Sequence, residues 1–253
     1  MQINLVKLKG FTKFTAEETI SYAKLPLANI SGIGKGNQPD FFDVIALPDE
    51  EILKKEIEYL FDDLQRRIQC LDMNESAEYT MRELVSPLLI GAIMIAKSES
   101  LKMVCEKNIE GELGHGPVDY VITYKLMNIV LTEAKKEKID DGVIQNICQL
   151  VASREQRARD LRQVGGKKRK YDELLSEIIK IPTFGIITTG DEWYFLRYCG
   201  TELIKSQKLK LNIEQGETHW DQRKKDIEVL LQWIVGIIET QVTTMDNMPN
   251  DLE

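Results

Sequence analysis

Apolar residues recur with the 3.6-residue period of an α-helix in five segments of the chain. Polar residues fill the positions between them in four segments, so each of these has one face that is suited to a core, whereas the second half of residues 74–98 is nearly all apolar and is expected to be buried. The predicted helices are residues 47–69, 74–98, 142–162, 171–180 and 220–240. Pro87 lies inside the second helix and predicts a kink, because proline removes one backbone hydrogen bond of the helix.

Short apolar runs and period-two alternation predict strands between these helices. The predicted strands are residues 101–111, two runs within 116–136, two runs within 184–198 and one within 208–214. The first 47 residues alternate enough for one or two more strands and contain the loop SGIGKGNQPD. The glycines of this loop do not have Walker spacing, so we expect a flexible turn and not a phosphate loop.

This order of elements predicts an α/β (α+β) fold in which helices flank a mixed sheet. We expect residues 1–70 to form an N-terminal extension that includes the first helix. Residues 71–240 are expected to form the main domain. The polar residues 241–253 are predicted to be a disordered tail.

Composition narrows the class of protein. The chain has 253 residues, of which 43% are hydrophobic and 29% charged, as in many globular proteins. No apolar run approaches eighteen residues, so we expect no membrane-spanning segment. The four cysteines form no CxxC pair, which favours reduced thiols and an intracellular location, cytoplasmic or nuclear, after removal of any secretion signal. The chain has only two histidines, so we do not expect a zinc site of the Cys/His kind.

Charged residues interrupt the predicted hairpin at residues 116–136. Asp119 lies within its first apolar run, and Glu133 and Lys135 close the second. With the turn centred near Leu126, Asp119 lies opposite Glu133, while Glu133 and Lys135 leave the same face of one strand. Adjacent carboxylates repel each other unless a cation lies between them, and a hard ion such as Mg²⁺ suits them. Phosphodiester hydrolysis requires this set of groups.

The same residues have a simpler interpretation. Asp119 with Lys135, and Glu133 with Lys136, also fit ordinary cross-strand ion pairs at the end of a hairpin. Spacing alone does not choose between a catalytic set and structural ion pairs.

The residues of this hairpin resemble the signature of the PD-(D/E)XK nuclease superfamily, which appears here as Pro117, Asp119, Glu133, Ala134 and Lys135. The succession GHGPVDYVI, VLTEAKKE, GVIQNICQ and FGIITTGDEWYFL is similar to the nuclease-type domains of fungal and Crinkler-like effector proteins. The resemblance extends over about residues 74–240 and implies a restriction-endonuclease-like sheet. This chain has one extra residue between the proline and the aspartate, and it has no identifiable DNA-reading module.

The resemblance implies roles for the hairpin residues. Asp119 and Glu133 would be metal ligands, assisted by the Ala134 carbonyl, with Mg²⁺ or Mn²⁺ as the cofactor. Lys135 would be the catalytic lysine.

The helices on either side would contribute as well. The helix after the hairpin often supplies a glutamine in such enzymes, and Gln145 is the candidate, with Gln149 on the same helix face. A solvated polar face is the alternative for both glutamines. The helix before the strands often supplies a glutamate, for which Glu75 and Glu83 are the candidates.

Basic residues are concentrated after the hairpin although the net charge of the chain is −8. They are Arg154, Arg157, Arg159, Arg162, Lys167, Lys168, Arg169 and Lys170. Within this group we expect Arg154, Arg157, Lys167, Lys168 and Arg169 to hold a nucleic-acid backbone. A solvated helix face that continues into a loop, or a nuclear-import signal, is the alternative.

Two functions follow from the sequence. The first is a Mg²⁺-dependent nuclease with nucleic acid, and DNA in particular, as its substrate. The second is a non-catalytic effector module that keeps the nuclease scaffold and binds a partner protein, with the N-terminal region as the expected contact.

Overall fold

The protein is described here from a computed structural model, which covers residues 8–25, 34–36, 50–72, 78–125, 127–164 and 171–247. The strands of these ranges are β1 (Lys9–Gly10), β2 (Gly34–Gly36), β3 (Leu101–Glu110), β4 (Gly114–Tyr124), β5 (Met127–Ala134), β6 (Thr183–Thr188), β7 (Glu192–Cys199), β8 (Glu202–Ser206) and β9 (Leu209–Lys210). The helices are α1 (Ala16–Tyr22), α2 (Glu50–Cys70), α3 (Glu78–Ala96), α4 (Ile139–Val164), α5 (Tyr171–Ile178) and α6 (Trp220–Asp246). Short 3₁₀ turns lie at Phe11–Lys13 and Glu217–His219.

Within the described ranges, nine strands form one mixed sheet in the order β1-β4-β5-β6-β7-β8-β2, with β3 on β4 and β9 on β7. The strands β3, β4 and β5 form an antiparallel meander, and β6, β7 and β8 form a second one. The two meanders meet where β5 and β6 pair in parallel, and α4 and α5 make the long crossover that a parallel pair requires. The predicted α/β fold class is confirmed.

Helices cover both faces of the sheet. One face packs against α2, α3 and α6, and the buried residues of this core include Leu60, Leu88, Trp193 and Phe195. Both of these aromatic rings of β7 are therefore part of the core. The other face packs against α1 and α4 through a smaller core, so the catalytic candidates of β4 and β5 lie between two helical layers.

Helix α3 is long enough to cross a membrane, and its apolar second half gives it the composition of a membrane span. In the described part of the chain it is the one helix with these properties, and half of the relevant window is buried inside the molecule. The core helix of a soluble protein has the same properties, so this feature is weak evidence for a membrane.

The N-terminal residues join the main sheet and core. Two residues of β1 pair in parallel with the start of β4, and Leu60 and Leu64 of α2 are buried in the large core. In the predicted loop 31–40, Gly34–Gly36 forms β2 and pairs with β8; the other residues of that loop lie outside the described ranges.

The end of the chain differs from the prediction. Residues 241–246, predicted to be disordered, continue α6, because Gln241 and Met245 are buried on its core face. The Gln241 amide donates to the Pro182 carbonyl over 2.9 Å. Residues 248–253 lie outside the described part of the chain.

Candidate active site at the end of the β4–β5 hairpin

Asp119 is held at the open end of the hairpin by a main-chain group and by an arginine. The β4–β5 ladder pairs Tyr120 with Thr132, so Asp119 and Glu133 follow at the next position of their strands. The Ala134 amide donates to Asp119 Oδ2 over 2.8 Å, and Arg82 of α3 donates to Oδ1 over 2.5 Å. Asp119 is buried, so both contacts stabilise a carboxylate that water barely reaches.

Glu133 is the centre of a hydrogen-bonded chain between β5 and α4. Lys135 Nζ donates to Glu133 Oε1 over 2.6 Å and to Gln145 Oε1 over 2.9 Å. Gln149 Nε2 donates to the second oxygen of Glu133 over 2.7 Å. The predicted geometry is therefore observed: Glu133 and Lys135 lie on one side of the strand, and both glutamines face them. Glu133 is only 2% exposed, whereas the side chain of its partner Lys135 is 16% exposed.

Burial changes the acidity of both carboxyl groups. It raises the pKa of Glu133 to about 7; the nearby Asp119 adds to this rise, and Lys135 and Gln149 oppose it. Burial also raises the pKa of Asp119, against the opposing effects of the Ala134 amide and of Arg82. Each carboxylate therefore needs its cationic partner to remain charged.

Sequence reasoning missed a second ionic cluster beside Asp119. Arg82 contacts three carboxylates: Asp119, Glu78 Oε1 at 3.1 Å and Glu106 Oε1 at 3.1 Å. The i, i+4 spacing of Glu78 and Arg82 was a signal in the sequence. Glu106 has no such signal, because only the β3–β4 pairing brings it to this helix.

Of the two glutamates predicted on the preceding helix, Glu83 is not part of this cluster. Glu83 pairs with Arg67 of α2 over 2.6 Å, because it is rotated about 100° around the helix from Arg82. This corrects the prediction for Glu83. Glu75 lies outside the described residues, and Glu78 is the helix acid beside Asp119.

A cleft of about 570 Å³ borders one edge of this set of residues, and Asp119 and Glu133 are not among its described lining residues. Its wall is formed on one side by the N-terminal segment, with Phe11 and Phe14, and on the other by the start of α4. Lys135 and Gln145 line it, and Glu78 lies at its edge on α3. Ligands of nucleotide size therefore have access to the Lys135 amine.

The donor set fits a hard divalent ion with few protein ligands. Among the described residues, no group of three or more His, Cys, Asp and Glu side chains is arranged to hold a metal ion. Mg²⁺ is commonly bound through one or two carboxylates and several waters, which Asp119 and Glu133 could supply with the Ala134 carbonyl. Each carboxylate oxygen described above accepts one hydrogen bond and keeps a further lone pair.

The predicted nucleic-acid-binding arginines are buried, and this corrects the prediction for both. Arg154 is 2% exposed, stacks on the Tyr198 ring at 3.8 Å and donates to the carbonyls of Ile181 and Tyr198. Arg157 is 4% exposed and donates to the Asn128 carbonyl. Both arginines connect α4 to strand ends and turns, so they are not available to a phosphate backbone.

Arg159, which belongs to the same basic group, donates to the Glu110 carbonyl. Lys167, Lys168 and Arg169 lie outside the described residues, and the prediction for them stays a prediction.

The comparison with curated proteins identifies one kind of relative. A stretch of 139 residues, 53% of this chain, is 30% identical to Crinkler effector protein 1 of Rhizophagus irregularis. The chain is distantly similar to a Crinkler effector. The match covers 27% of that protein, so the matched stretch spans about a quarter of its length. No protein-family model matches the chain.

Proposed function

We propose that the protein is a divalent-metal-dependent nuclease of the PD-(D/E)XK type that hydrolyses phosphodiester bonds, with DNA as the expected substrate. The observation that carries this proposal is the hydrogen-bonded chain of Gln145, Lys135, Glu133 and Gln149 beside Asp119, which borders a cleft at Lys135 and Gln145. Buried ionisable groups reduce stability unless they are paired, and they are concentrated at functional sites.

Each side chain has a role that follows from its contacts. Asp119, Glu133 and the Ala134 carbonyl would hold Mg²⁺ or Mn²⁺, and the bound ion would polarise a phosphoryl oxygen and lower the pKa of its water. Gln149 fixes the orientation of Glu133. The Lys135 ammonium lines the cleft and stabilises the negative charge that develops on the phosphate during attack.

Gln145 is a positioning residue in this proposal. Its side-chain oxygen accepts a hydrogen bond from Lys135, and the Lys135 main-chain amide donates to the Thr188 carbonyl over 2.8 Å. Both contacts restrict where the ammonium can lie.

A non-catalytic effector module is the second candidate function. The observation in its favour is that Arg82 and Lys135 already neutralise Asp119 and Glu133, as structural ion pairs would. The similar stretch of a protein named an effector agrees with it as well. In this alternative the protein acts by binding a partner protein.

A comparison of the wild type with Lys135→Ala and Glu133→Ala distinguishes the nuclease from the effector module. We expect the wild type to cleave DNA with Mg²⁺ or Mn²⁺, and both variants to lose at least about 100-fold in rate. Thermal stabilisation by the metal should persist in Lys135→Ala, which keeps both carboxylates, and disappear in Glu133→Ala.

Lys102→Ala is the matched control, because Lys102 is an exposed lysine on the neighbouring strand β3. Its cleavage rate should equal that of the wild type. Absence of cleavage of both DNA and RNA by the wild type, together with unchanged cellular effects of the two site variants, would favour the effector module.

A further inference from the structure

Arg82 is shared by three carboxylates next to the proposed site. Its NH2 group contacts Asp119 and Glu78, and its NH1 group contacts Glu106. The Arg82 side chain is 19% exposed, so these contacts are only partly screened by water.

The backbone on either side supports this arrangement. The β3–β4 ladder pairs Cys105 with Tyr120 and Lys107 with Val118, which places Glu106 across from Asp119. Glu106 has a φ of +50°, a conformation that non-glycine residues adopt at a cost and that is frequent at functional sites. The Tyr120 hydroxyl donates to the Arg82 carbonyl over 3.1 Å, which fixes this turn of α3.

The charges of the two ion-paired sets do not balance. The carboxylates are Glu78, Glu106, Asp119 and Glu133, and the cations are Arg82 and Lys135. When all four carboxyl groups are ionised, four negative and two positive charges leave a net charge of −2, which one divalent cation would neutralise.

The guanidinium also lacks one of its hydrogen bonds. Arg82 Nε is buried and has no hydrogen-bond partner. Its position is therefore determined by the carboxylates that attract NH1 and NH2, and a change in their charge can move it.

We propose that Arg82 is a built-in counter-ion that competes with the divalent cation for Asp119 and so sets the metal concentration at which the site fills. This inference rests on the metal site of the proposed function. Glu78 and Glu106 hold the guanidinium near the site when it releases Asp119. Release of Asp119 costs little free energy, because the ion pairs of Arg82 with Glu78 and Glu106 remain.

Mn²⁺ binding to purified protein, measured by calorimetry, tests the proposal. We expect Arg82→Gln to bind Mn²⁺ at least tenfold more tightly than the wild type, since the competing charge is gone. Arg82→Met should also bind more tightly, because it keeps a long side chain without the competing charge; it carries the test if Arg82→Gln does not fold. Arg67→Gln is the matched control, since Arg67 bridges Asp63 and Glu83 away from this cluster. Its affinity for Mn²⁺ should equal that of the wild type.

The outcomes distinguish this inference from the proposed function. A folded Arg82 variant with equal or weaker Mn²⁺ binding than the wild type overturns the counter-ion role and leaves the nuclease proposal intact. Tighter Mn²⁺ binding in proteins that cleave no nucleic acid supports the counter-ion role and removes the nuclease proposal. A lack of Mn²⁺ binding in all variants overturns both.

Discussion

Glu133 combines deep burial with a charged partner, and its protonation changes near neutral pH. Folding moves its pKa from the ordinary 4.5 to about 7, and burial is the main cause. The folded state therefore binds this proton more tightly than the unfolded state does. The contribution of Glu133 to stability is most favourable below pH 4.5 and is lost as the pH rises to about 7.

Glu133→Gln should remove this pH dependence in the absence of metal. Relative to the variant, the wild type should lose on the order of 3 kcal/mol in unfolding free energy between pH 4.5 and pH 8. The measurement is urea denaturation in the presence of a chelator at several pH values. Glu99→Gln, at an exposed position, is the control and should follow the wild-type curve. Parallel curves for wild type and Glu133→Gln would contradict the raised pKa.

The sequence predicted those site residues whose positions follow from local periodicity. The period of two in a strand places Glu133 and Lys135 on one face, and the spacing of Gln145 and Gln149 places both on one helix face. Arg82 needed knowledge of how α3 packs on the sheet, which no local pattern contains.

The error over Arg154 and Arg157 has a physical cause. Arginine is usually exposed, so a cluster of arginines predicts a surface. In this fold their donors meet carbonyl groups at the ends of strands and turns, such as those of Ile181 and Asn128. Those carbonyl acceptors belong to segments that are distant in the sequence, and they cannot be identified from the residues around the arginines.

The position of α4 on the sheet depends on one glycine of β6. A Cβ atom added at Gly185 would lie 1.7 Å from Asn146 Oδ1 of α4. Asn146 in turn donates to the Leu131 carbonyl and to the Gln149 side chain, each over 3.1 Å. The close approach at Gly185 therefore positions the helix that supplies the two site glutamines.

Gly185→Ala should displace α4 and destabilise the protein by about 2–3 kcal/mol through overpacking. The displacement would also lengthen the contacts of Gln145 and Gln149, so Mn²⁺ binding should weaken. Denaturant unfolding and calorimetry measure the two effects. Gly10→Ala provides the comparison, because its Cβ would meet only Lys13 Cγ at 3.9 Å. Equal stability of the two variants would show that α4 accommodates the methyl group.

Among the helices and strands, long amphipathic segments were predicted well from the sequence and short ones poorly. Helices α2, α4 and α6 follow their apolar periodicity, although α4 begins at Ile139, before the predicted residue 142. The short elements α1 and β8 were missed, because seven or five residues contain too little periodicity. Their structure depends on packing against α4 and β7.

The last turns of α6 complete the larger of the two cores. Met245 is buried there, and Gln241 contacts the Pro182 carbonyl at the start of β6. Asp246 accepts hydrogen bonds from Tyr124 and Lys125 of the hairpin tip, each over 2.9 Å. The end of this helix thus connects both meanders of the sheet.

Truncation after Thr240 should cost about 3 kcal/mol, from the burial of Met245 and the hydrogen bond of Gln241. The melting temperature should fall by roughly 6–12 °C for a chain of this size. Truncation after Asn247 keeps these contacts and serves as the control in the same calorimetric scan. If truncation after Thr240 leaves the melting temperature unchanged, residues 241–246 do not stabilise the fold, as expected for a disordered tail.

The parallel pairing of β2 with β8 also has a consequence during protein synthesis. Gly34–Gly36 leaves the ribosome before its partner Glu202–Ser206 has been made. At about 5–20 residues per second, the ~170 residues between these strands take on the order of 10–30 s to add. Because β2 is already available when β8 emerges, the outer edge of β8 can be covered as soon as that strand forms. The edge of a newly made strand is exposed only briefly when its partner strand is already present, so pairing with another chain is disfavoured.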